Sequence, residues 1–188
     1  CALPIFSGQH LIDHFVMGQE PFLSYVFERG ELNNHLLFFI FRNLFKVCLT
    51  PFLETLPEET ELLWDKGVCP VCGFSPDMGV LLGKEGKLHL HCALCGHVWP
   101  FRKMACPFCN NDLQKELNYL EVEGDTRHKI HLCQLCLRYL KVLDVRNLEE
   151  DRPLFLDLED LISLHLDIIA DQKGYLPGIS LQTLNEKE

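Results

Sequence analysis

The sequence predicts an α+β fold: a helical N-terminal part, two tandem four-cysteine metal modules built from short strands, and a C-terminal helix. Three features predict it: a dense apolar run at residues 35–49, a duplicated cysteine pattern, and an acidic and apolar stretch that ends near Gly174. The 188 residues suffice for one core or for two small units that share an interface. The predicted segments are the N-terminal part at 1–65, the first module at 66–104, the second module at 105–148 and the C-terminal helix with its tail at 149–188.

The apolar run HLLFFIFRNLFKVCL at residues 35–49 predicts a helix with almost its whole circumference covered. Arg42 and Lys46 interrupt it, so it falls short of the ~20 apolar residues that a membrane helix needs. We therefore expect a soluble protein without membrane insertion, and we expect Cys48 to be a small core residue. No signal-peptide pattern is visible, and because the chain starts at Cys1 without a Met we expect the N-terminal part to be truncated.

Eight of the ten cysteines form four C-x-x-C pairs, and this spacing is unusual for a framework of structural disulfides. Such pairs indicate either metal ligands or, less often, redox-active dithiols. The order of the pairs repeats itself: the first pairs of the two halves start 37 residues apart, and the second pairs start 41 apart. Within each half, 19 or 23 residues separate the pairs, close to the spacing of four-thiolate sites. The predicted metal ligands are Cys69, Cys72, Cys92 and Cys95 for one ion, and Cys106, Cys109, Cys133 and Cys136 for the other.

The residue after each pair indicates the backbone geometry of these C-x-x-C turns, which we call knuckles. That position often needs a positive φ, which Gly73 and Gly96 adopt freely and which Asn110 tolerates. Leu137 occupies the same position in the fourth knuckle and disfavours a positive φ. The sequence therefore predicts that the fourth knuckle is the least regular.

Four thiolates suit zinc or a single iron ion, and the sequence does not choose between the two metals. A module of about 35–40 residues cannot normally build a stable core alone, so a metal staple is expected. The stretch CPFC also resembles a glutaredoxin dithiol, but four copies in a strand-rich setting favour metal binding over redox exchange. Because each site already has four cysteines, the histidines are not needed as ligands. They are expected on outward strand positions or in hydrogen bonds near the sulfurs: His89, His91, His97, His128 and His131. Aromatic residues are expected to pack around the sites: Trp99, Phe101 and Phe108.

Alternating polar and apolar residues predict strands in both modules, at residues 80–82, 87–91, 117–123 and 128–132. In the C-terminal segment Asp157 is the expected helix cap and Gly174 the expected end. The predicted apolar stripe of that helix comprises Leu158, Leu161, Ile162, Ile168 and Ile169.

Charge and coordination exclude two classes of function. A closed four-thiolate site has no open position for activating water, so an enzyme is not expected. Residues 66–148 carry 11 basic and 8 acidic residues. Two divalent ions with eight thiolates would turn that small positive charge negative, and the chain as a whole carries −10. A phosphate backbone needs clustered Lys and Arg, so nucleic-acid binding is not expected either.

Several runs within residues 64–175 resemble the formate dehydrogenase accessory protein family, FdhE. They are WDKGVCPVCG from Trp64, HCxxC from His91 with Trp99 downstream, YLxVEG from Tyr119, and CxxCxxYLK from Cys133. The acidic helix that ends near Gly174 and Tyr175 fits as well. The resemblance implies a cytoplasmic assembly factor with two rubredoxin-like metal modules, associated with iron, in which the eight cysteines are ligands. Leu137, in place of a small residue, departs from the pattern without affecting the ligands.

The family resemblance further implies a partner, the catalytic subunit of respiratory, molybdenum- or tungsten-dependent formate dehydrogenases, on which such proteins act before export. We therefore expect a binding protein that supports formate dehydrogenase maturation. The alternative is a rubredoxin-like electron-transfer or thiol-redox protein, because iron in such sites can pass single electrons and C-x-x-C pairs can exchange disulfides.

Overall fold

In the computed structural model of the chain, the structure describes residues 34–53, 64–146 and 154–178. The chain divides into two compact units, residues 1–41 and residues 42–188. Of the first unit only the beginning of one helix is described, so Cys1 and most of the predicted helical part lie outside the described residues. The segment boundaries predicted from the sequence stay predictions.

The described elements are a run of short strands with helices before and after it. Of the helices that the structure describes, one precedes the cysteine-rich region and two follow it. In chain order they are α1 Asn34–Leu53, β1 Pro76–Leu82, β2 Lys87–Cys92, β3 Val98–Pro100, a 3-10 turn Gln114–Glu116, β4 Leu117–Val122, β5 Asp125–Cys133, β6 Arg138–Asp144, α2 Leu156–Ile162, α3 Leu164–Gln172 and β7 Leu176–Pro177.

All seven strands belong to one sheet, in the order β3-β2-β1-β6-β5-β4 with β7 paired to β6. The strands of the first module pair antiparallel with one another, as do those of the second. The two halves meet where β1 and β6 run parallel, with residues 78–81 opposite residues 141–144. The α+β class and the predicted strands are confirmed, and the two modules share a continuous sheet.

Two apolar clusters attach helices α2 and α3 to this sheet. Met78, Val80 and Leu143 from the β1–β6 junction pack with Leu156 of α2. Ile130, Leu132 and Tyr139 from β5 and β6 pack with Leu166 and Ala170 of α3. These side chains are less than a tenth exposed, so the helix pair covers the junction and the second module.

The single C-terminal helix predicted from the sequence is divided at Ser163, and of the predicted apolar stripe only Ile169 packs against the core. The buried side chains are instead Leu156, Ser163, Leu166 and Ala170. Four members of the predicted stripe are each more than half exposed: Leu158, Leu161, Ile162 and Ile168.

The reason for this orientation is electrostatic. Lys141 of β6 is almost completely buried and ion-paired with Asp160 at 2.7 Å and with Asp167 at 2.8 Å. Tyr139 donates a hydrogen bond to the same Asp167 at 2.8 Å. An unpaired buried ammonium would be very costly, so Asp160 and Asp167 turn towards the sheet while Leu158, Leu161 and Leu164 turn outwards.

The ends of the C-terminal helices show one wrong prediction and one confirmed one. Asp157 does not cap α2, since Phe155 precedes the helix and makes no side-chain cap. Gly174 does follow the end of α3, with a positive φ of 81°. Asp157 instead points its carboxylate at Lys46 of α1.

Helix α1 also differs from the prediction, because its basic residues Arg42 and Lys46 face the rest of unit 42–188. Arg42 contacts Asp77 at 3.2 Å, whereas Leu44, Val47 and Cys48 are exposed. The expected core role of Cys48 is therefore wrong. The helix continues through Pro51 to Leu53. Within the described residues, no helix is long and apolar enough to cross a bilayer.

Candidate metal centres

Each C-x-x-C knuckle is a tight turn closed by backbone hydrogen bonds. The amide of Gly73 donates to the carbonyl of Cys69 at 2.9 Å, and that of Gly96 donates to Cys92 at 3.0 Å. In the second module the amide of Asn110 donates to Cys106 at 2.9 Å. Three knuckles thus repeat one turn, which brings both sulfurs of each pair to the same side.

The residue that closes each knuckle has a positive φ in all four cases. The angles are 72° at Gly73, 77° at Gly96 and 61° at Asn110, as the sequence predicts. Leu137 has 53°, so the fourth knuckle reaches the left-handed conformation although its closing residue is a leucine, and its expected irregularity stays a prediction. A leucine in the left-handed region costs about 1–2 kcal/mol. This strain is sustained by the β5–β6 ladder, in which Cys133 and Arg138 pair across the turn.

The first knuckle pair brings together four thiols that we call site A, formed by Cys69, Cys72, Cys92 and Cys95. The sulfurs of Cys69 and Cys95 lie 3.6 Å apart, and those of Cys72 and Cys92 lie 3.4 Å apart. Backbone amides point at the sulfurs: Leu94 and Cys95 donate to Cys92 at 3.4 and 3.5 Å. Cys72 is half-buried and the other three thiols are buried.

The second knuckle pair forms site B, made of Cys106, Cys109, Cys133 and Cys136. The Sγ atoms of Cys106 and Cys136 lie 3.6 Å apart, as do those of Cys109 and Cys133. The side-chain amide of buried Asn111 donates to the Cys133 sulfur at 3.8 Å. Cys109 is exposed and Cys136 half-buried, so site B is open to solvent on one side.

The thiols within each site differ in pKa. Hydrogen bonds from the Cys72, Cys92 and Cys95 thiols hold the pKa of Cys69 well below its usual range. In site B a hydrogen bond from Cys106 lowers the pKa of Cys136 to about 5. Each site therefore contains a thiol that readily becomes a thiolate, the form that binds metals.

The geometry of both sites fits a metal ion bound by four thiolates. In each group the four sulfurs lie within 4.8 Å of one another, and the sulfur pairs named above are 3.4–3.6 Å apart. Sulfurs in a disulfide are about 2 Å apart, so all eight cysteines are free thiols. Tetrahedral zinc–thiolate sites with bonds of about 2.3 Å place their sulfurs roughly 3.8 Å apart. Each group could hold zinc or a single iron, and neither retains an open coordination position.

The histidines of the described residues lie outside both thiol groups, but two of them are not where the sequence predicts. His91 and His128 are buried rather than outward-facing. His91 contacts Asp77 through Nδ1 at 2.7 Å. His128 lies between Asp125, at 2.9 Å from Nδ1, and Glu159, at 3.0 Å from Nε2. Each histidine therefore has a carboxylate partner, and His128 joins β5 to helix α2.

A third group of metal-ligand side chains was not expected from the sequence and comprises Asp77, His91 and Asp157. Two cations already neutralise it. Arg42 contacts Asp77, and Lys46 contacts Asp157 and lies 3.5 Å from Nε2 of His91. This composition is that of an ion-pair network that fastens helix α1 to β1 and β2. No periodicity in the sequence connects these distant residues.

The aromatic residues pack beside the sites as predicted for the first module. Trp99 is completely buried and Phe101 nearly so. The indole N–H of Trp99 donates to the carbonyl of Lys66 at 3.1 Å, which fixes the loop that leads into site A. Phe108, inside the third knuckle, is half-buried with its ring against Gly178.

Comparison with known proteins finds similar sequences and a similar fold in one family. Residues 68–103, which contain all of site A, match the family model described as the central domain of FdhE. An FdhE homologue from Aquifex aeolicus is 30% identical over 157 residues, which is 82% of this chain and 54% of the relative. One from Haemophilus ducreyi is 36% identical over 131 residues, or 68% of this chain and 41% of the relative.

A solved structure shares the fold. The crystal structure of the FdhE protein from Pseudomonas aeruginosa matches with a TM-score of 0.61 and 28% identity, over 72% of this chain and 47% of that protein. The chain thus spans about half the length of the relatives it matches. Sequence and fold together confirm the resemblance of this chain to the FdhE family.

Proposed function

We propose that this chain is the metal-binding part of a formate dehydrogenase accessory protein. In this proposal it binds the catalytic subunit of a respiratory formate dehydrogenase in the cytoplasm and supports maturation of that subunit. The observation that carries the proposal is the FdhE match over residues 68–103, which spans a complete four-thiolate site. A second four-thiolate site and the fold of an FdhE protein extend the support to residues beyond that segment.

The role assigned to the metals is structural. We propose that the eight cysteines of sites A and B each supply one thiolate, and that iron or zinc completes each site. A metal bound by four thiolates holds two knuckles together and has no position left for substrate or water. The proposed activity is therefore binding rather than catalysis.

Helices α2 and α3 supply a candidate contact surface for a polypeptide partner. Their outward faces carry a row of side chains that are each more than half exposed: Phe155, Leu158, Leu161, Ile162, Leu164 and Ile168. Glu159, Asp160 and Asp167 face inward to His128 and Lys141, whereas Asp157 and Asp171 are exposed. Extended apolar surface on a folded domain is typical of proteins that bind other proteins.

Capture of the catalytic subunit tests the proposal. A tagged chain is mixed with a formate dehydrogenase catalytic subunit made without its metal cofactor, and the retained subunit is quantified. We expect retention, and we expect Leu158→Ser with Leu161→Ser to weaken it several-fold. Leu113→Ser, at an equally exposed leucine of the second module, is the matched control. If the unaltered chain retains none of the subunit, the proposal is wrong.

Metal content separates the proposal from the electron-transfer alternative, which the FdhE matches do not favour. Zinc has no redox chemistry, so two equivalents of zinc in the purified protein would exclude an electron carrier. Iron would keep the alternative open only if a reversible one-electron couple were also measured. The proposed binding role predicts that zinc- and iron-loaded chains capture the catalytic subunit equally well.

A further inference from the structure

We propose that site A and site B bind metal cooperatively, because the third knuckle, which belongs to site B, packs against segments next to site A and because β1 and β6 pair with each other. The inference rests on the proposed ligand role of the eight cysteines. It concerns the β1–β6 junction and two contacts beside it, and each contact connects a segment next to one site with a segment next to the other.

The first contact joins the loop before site A to the third knuckle. Gly67 precedes Cys69 by two residues, and a Cβ added to it would overlap the backbone of Pro107, which lies between Cys106 and Cys109. The loop cannot move away freely, since Trp99 binds the carbonyl of Lys66 from the first module's own core. A displaced third knuckle would thus disturb the approach to Cys69.

The second contact joins the third knuckle to the start of strand β1. The ring of Phe108 lies directly against Gly178, where no side chain would fit. An added Cβ on Gly178 would also lie 3.2 Å from the carbonyl oxygen of Pro76, the first residue of β1. Because Pro76 follows Cys72 by four residues, Phe108 of site B lies next to the segment that leaves site A.

The strands that leave the two sites pair with each other. β1 begins shortly after Cys72, and β6 begins two residues after Cys136. Their parallel pairing buries Met78 and Val80 from one module with Val142 and Leu143 from the other, all at most 1% exposed. Each module thus contributes buried side chains to a core that the two modules share.

Cooperativity follows from the energetics of small metal modules. A module of about 40 residues cannot fold stably alone, so the free energy of metal binding is largely free energy of folding. When one site binds its ion, it orders the shared β1–β6 core and the segments that contact the other site. The second ion then binds to a site that is already organised, which raises its affinity. Coupling between sites is typically 5–150-fold in affinity, and we expect at least tenfold here.

Native mass spectrometry during a titration of the metal-free chain with Zn²⁺ tests the inference. We expect the chain with one ion to be at least several-fold less abundant than two independent, equal sites would give, with the two-ion species appearing early. Statistical abundance of the one-ion species would overturn the inference. A chain that binds no zinc would instead overturn the ligand role on which it rests.

A single substitution separates coupling from ligation. Gly67→Ala keeps all eight cysteines but forces the first module away from Pro107, so we expect two ions still to bind with the one-ion species now abundant. The control is Gly83→Ala in the β1–β2 turn, where the added Cβ has nothing within 4 Å and the only cost is the positive φ of 65°. The control should keep the cooperative pattern. Equal patterns in the two variants would contradict the role of the Gly67 contact.

Discussion

Sites A and B repeat one ligand pattern but differ in what surrounds it. No thiol of site A is exposed, and glycines close both of its knuckles. Site B has one exposed thiol, Cys109, and its knuckles are closed by Asn110 and Leu137. The comparison teaches that ligand spacing defines a metal site, whereas neighbouring elements determine how firmly the site is enclosed.

The largest expected difference between the sites concerns loss of one ligand. Cys92 is completely buried and accepts two backbone amides, so Cys92→Ser should destabilise the zinc-loaded protein by on the order of 5 kcal/mol, part of the roughly 10–16 kcal/mol that a structural zinc supplies. Cys109→Ser should cost clearly less, since water can reach that position. Urea unfolding in excess zinc measures both, with Cys48→Ser, outside both sites, as the control. If Cys92→Ser and Cys109→Ser lowered the unfolding free energy equally, solvent exposure would not distinguish the two sites.

A second expected effect concerns the helices over the second module. Lys141→Met leaves Asp160 and Asp167 without their buried cation, and breaking such a pair costs about 3–5 kcal/mol. Lys129 on the neighbouring strand pairs with the exposed Glu121 and lies 3.5 Å from Asp144, which keeps Arg146 as a partner, so Lys129→Met should cost clearly less than Lys141→Met. The free energy of unfolding in urea gives both values. If the two lysine variants were equally stable, the helices would not depend on the buried pair.

A smaller effect sharpens the comparison of the knuckles. Leu137→Asn should stabilise the second module by up to about 1 kcal/mol, because asparagine tolerates the left-handed backbone better than leucine. Gly73→Ala should destabilise the first module by about 1 kcal/mol through φ alone, since nothing lies within 4 Å of the added Cβ. Thermal unfolding of the two variants should shift in opposite directions. Shifts of the same sign would mean that packing, not backbone strain, decides these positions.

The smallest effect depends on pH and lies at the end of the β1–β6 junction. Hydrogen bonds from Arg146 lower the pKa of Asp144 to about 2. Because the folded carboxyl has the lower pKa, its stabilisation is present above about pH 4 and is lost as the pH falls towards 2. Asp144→Asn should therefore cost about 1 kcal/mol at pH 6 and progressively less at pH 3, measured as the difference in unfolding free energy from the unaltered protein.

Asp112→Asn is the control for this pH effect, since Asp112 is exposed and 3.9 Å from its Arg102 partner. Its unfolding free energy should differ little from that of the unaltered protein at either pH. If Asp144→Asn lowered the unfolding free energy by the same amount at pH 6 and at pH 3, the ion pair with Arg146 would not explain the effect.

Local patterns allowed much of this fold to be predicted. Cysteine spacing predicted which thiols meet, and alternation of polar and apolar residues predicted the strands around Leu90 and Ile130. Contacts between distant residues escaped prediction. A buried Lys141 reverses the faces of α2 and α3, and a buried His91 between Asp77 and Lys46 has no sequence signature. At Leu137 a local preference was overruled. The pairing of β5 with β6 imposes a positive φ that leucine disfavours.

The parallel pairing of β1 with β6 has a consequence for the order of folding. During synthesis the β1–β2 hairpin emerges long before β6, so one edge of β1 stays unpaired while the second module is being made. An unpaired apolar strand edge readily associates with other chains, and pairing between distant strands is slow. We expect β1 to be the segment most prone to aggregation in the nascent chain, and early metal capture by the first four thiols to be its protection.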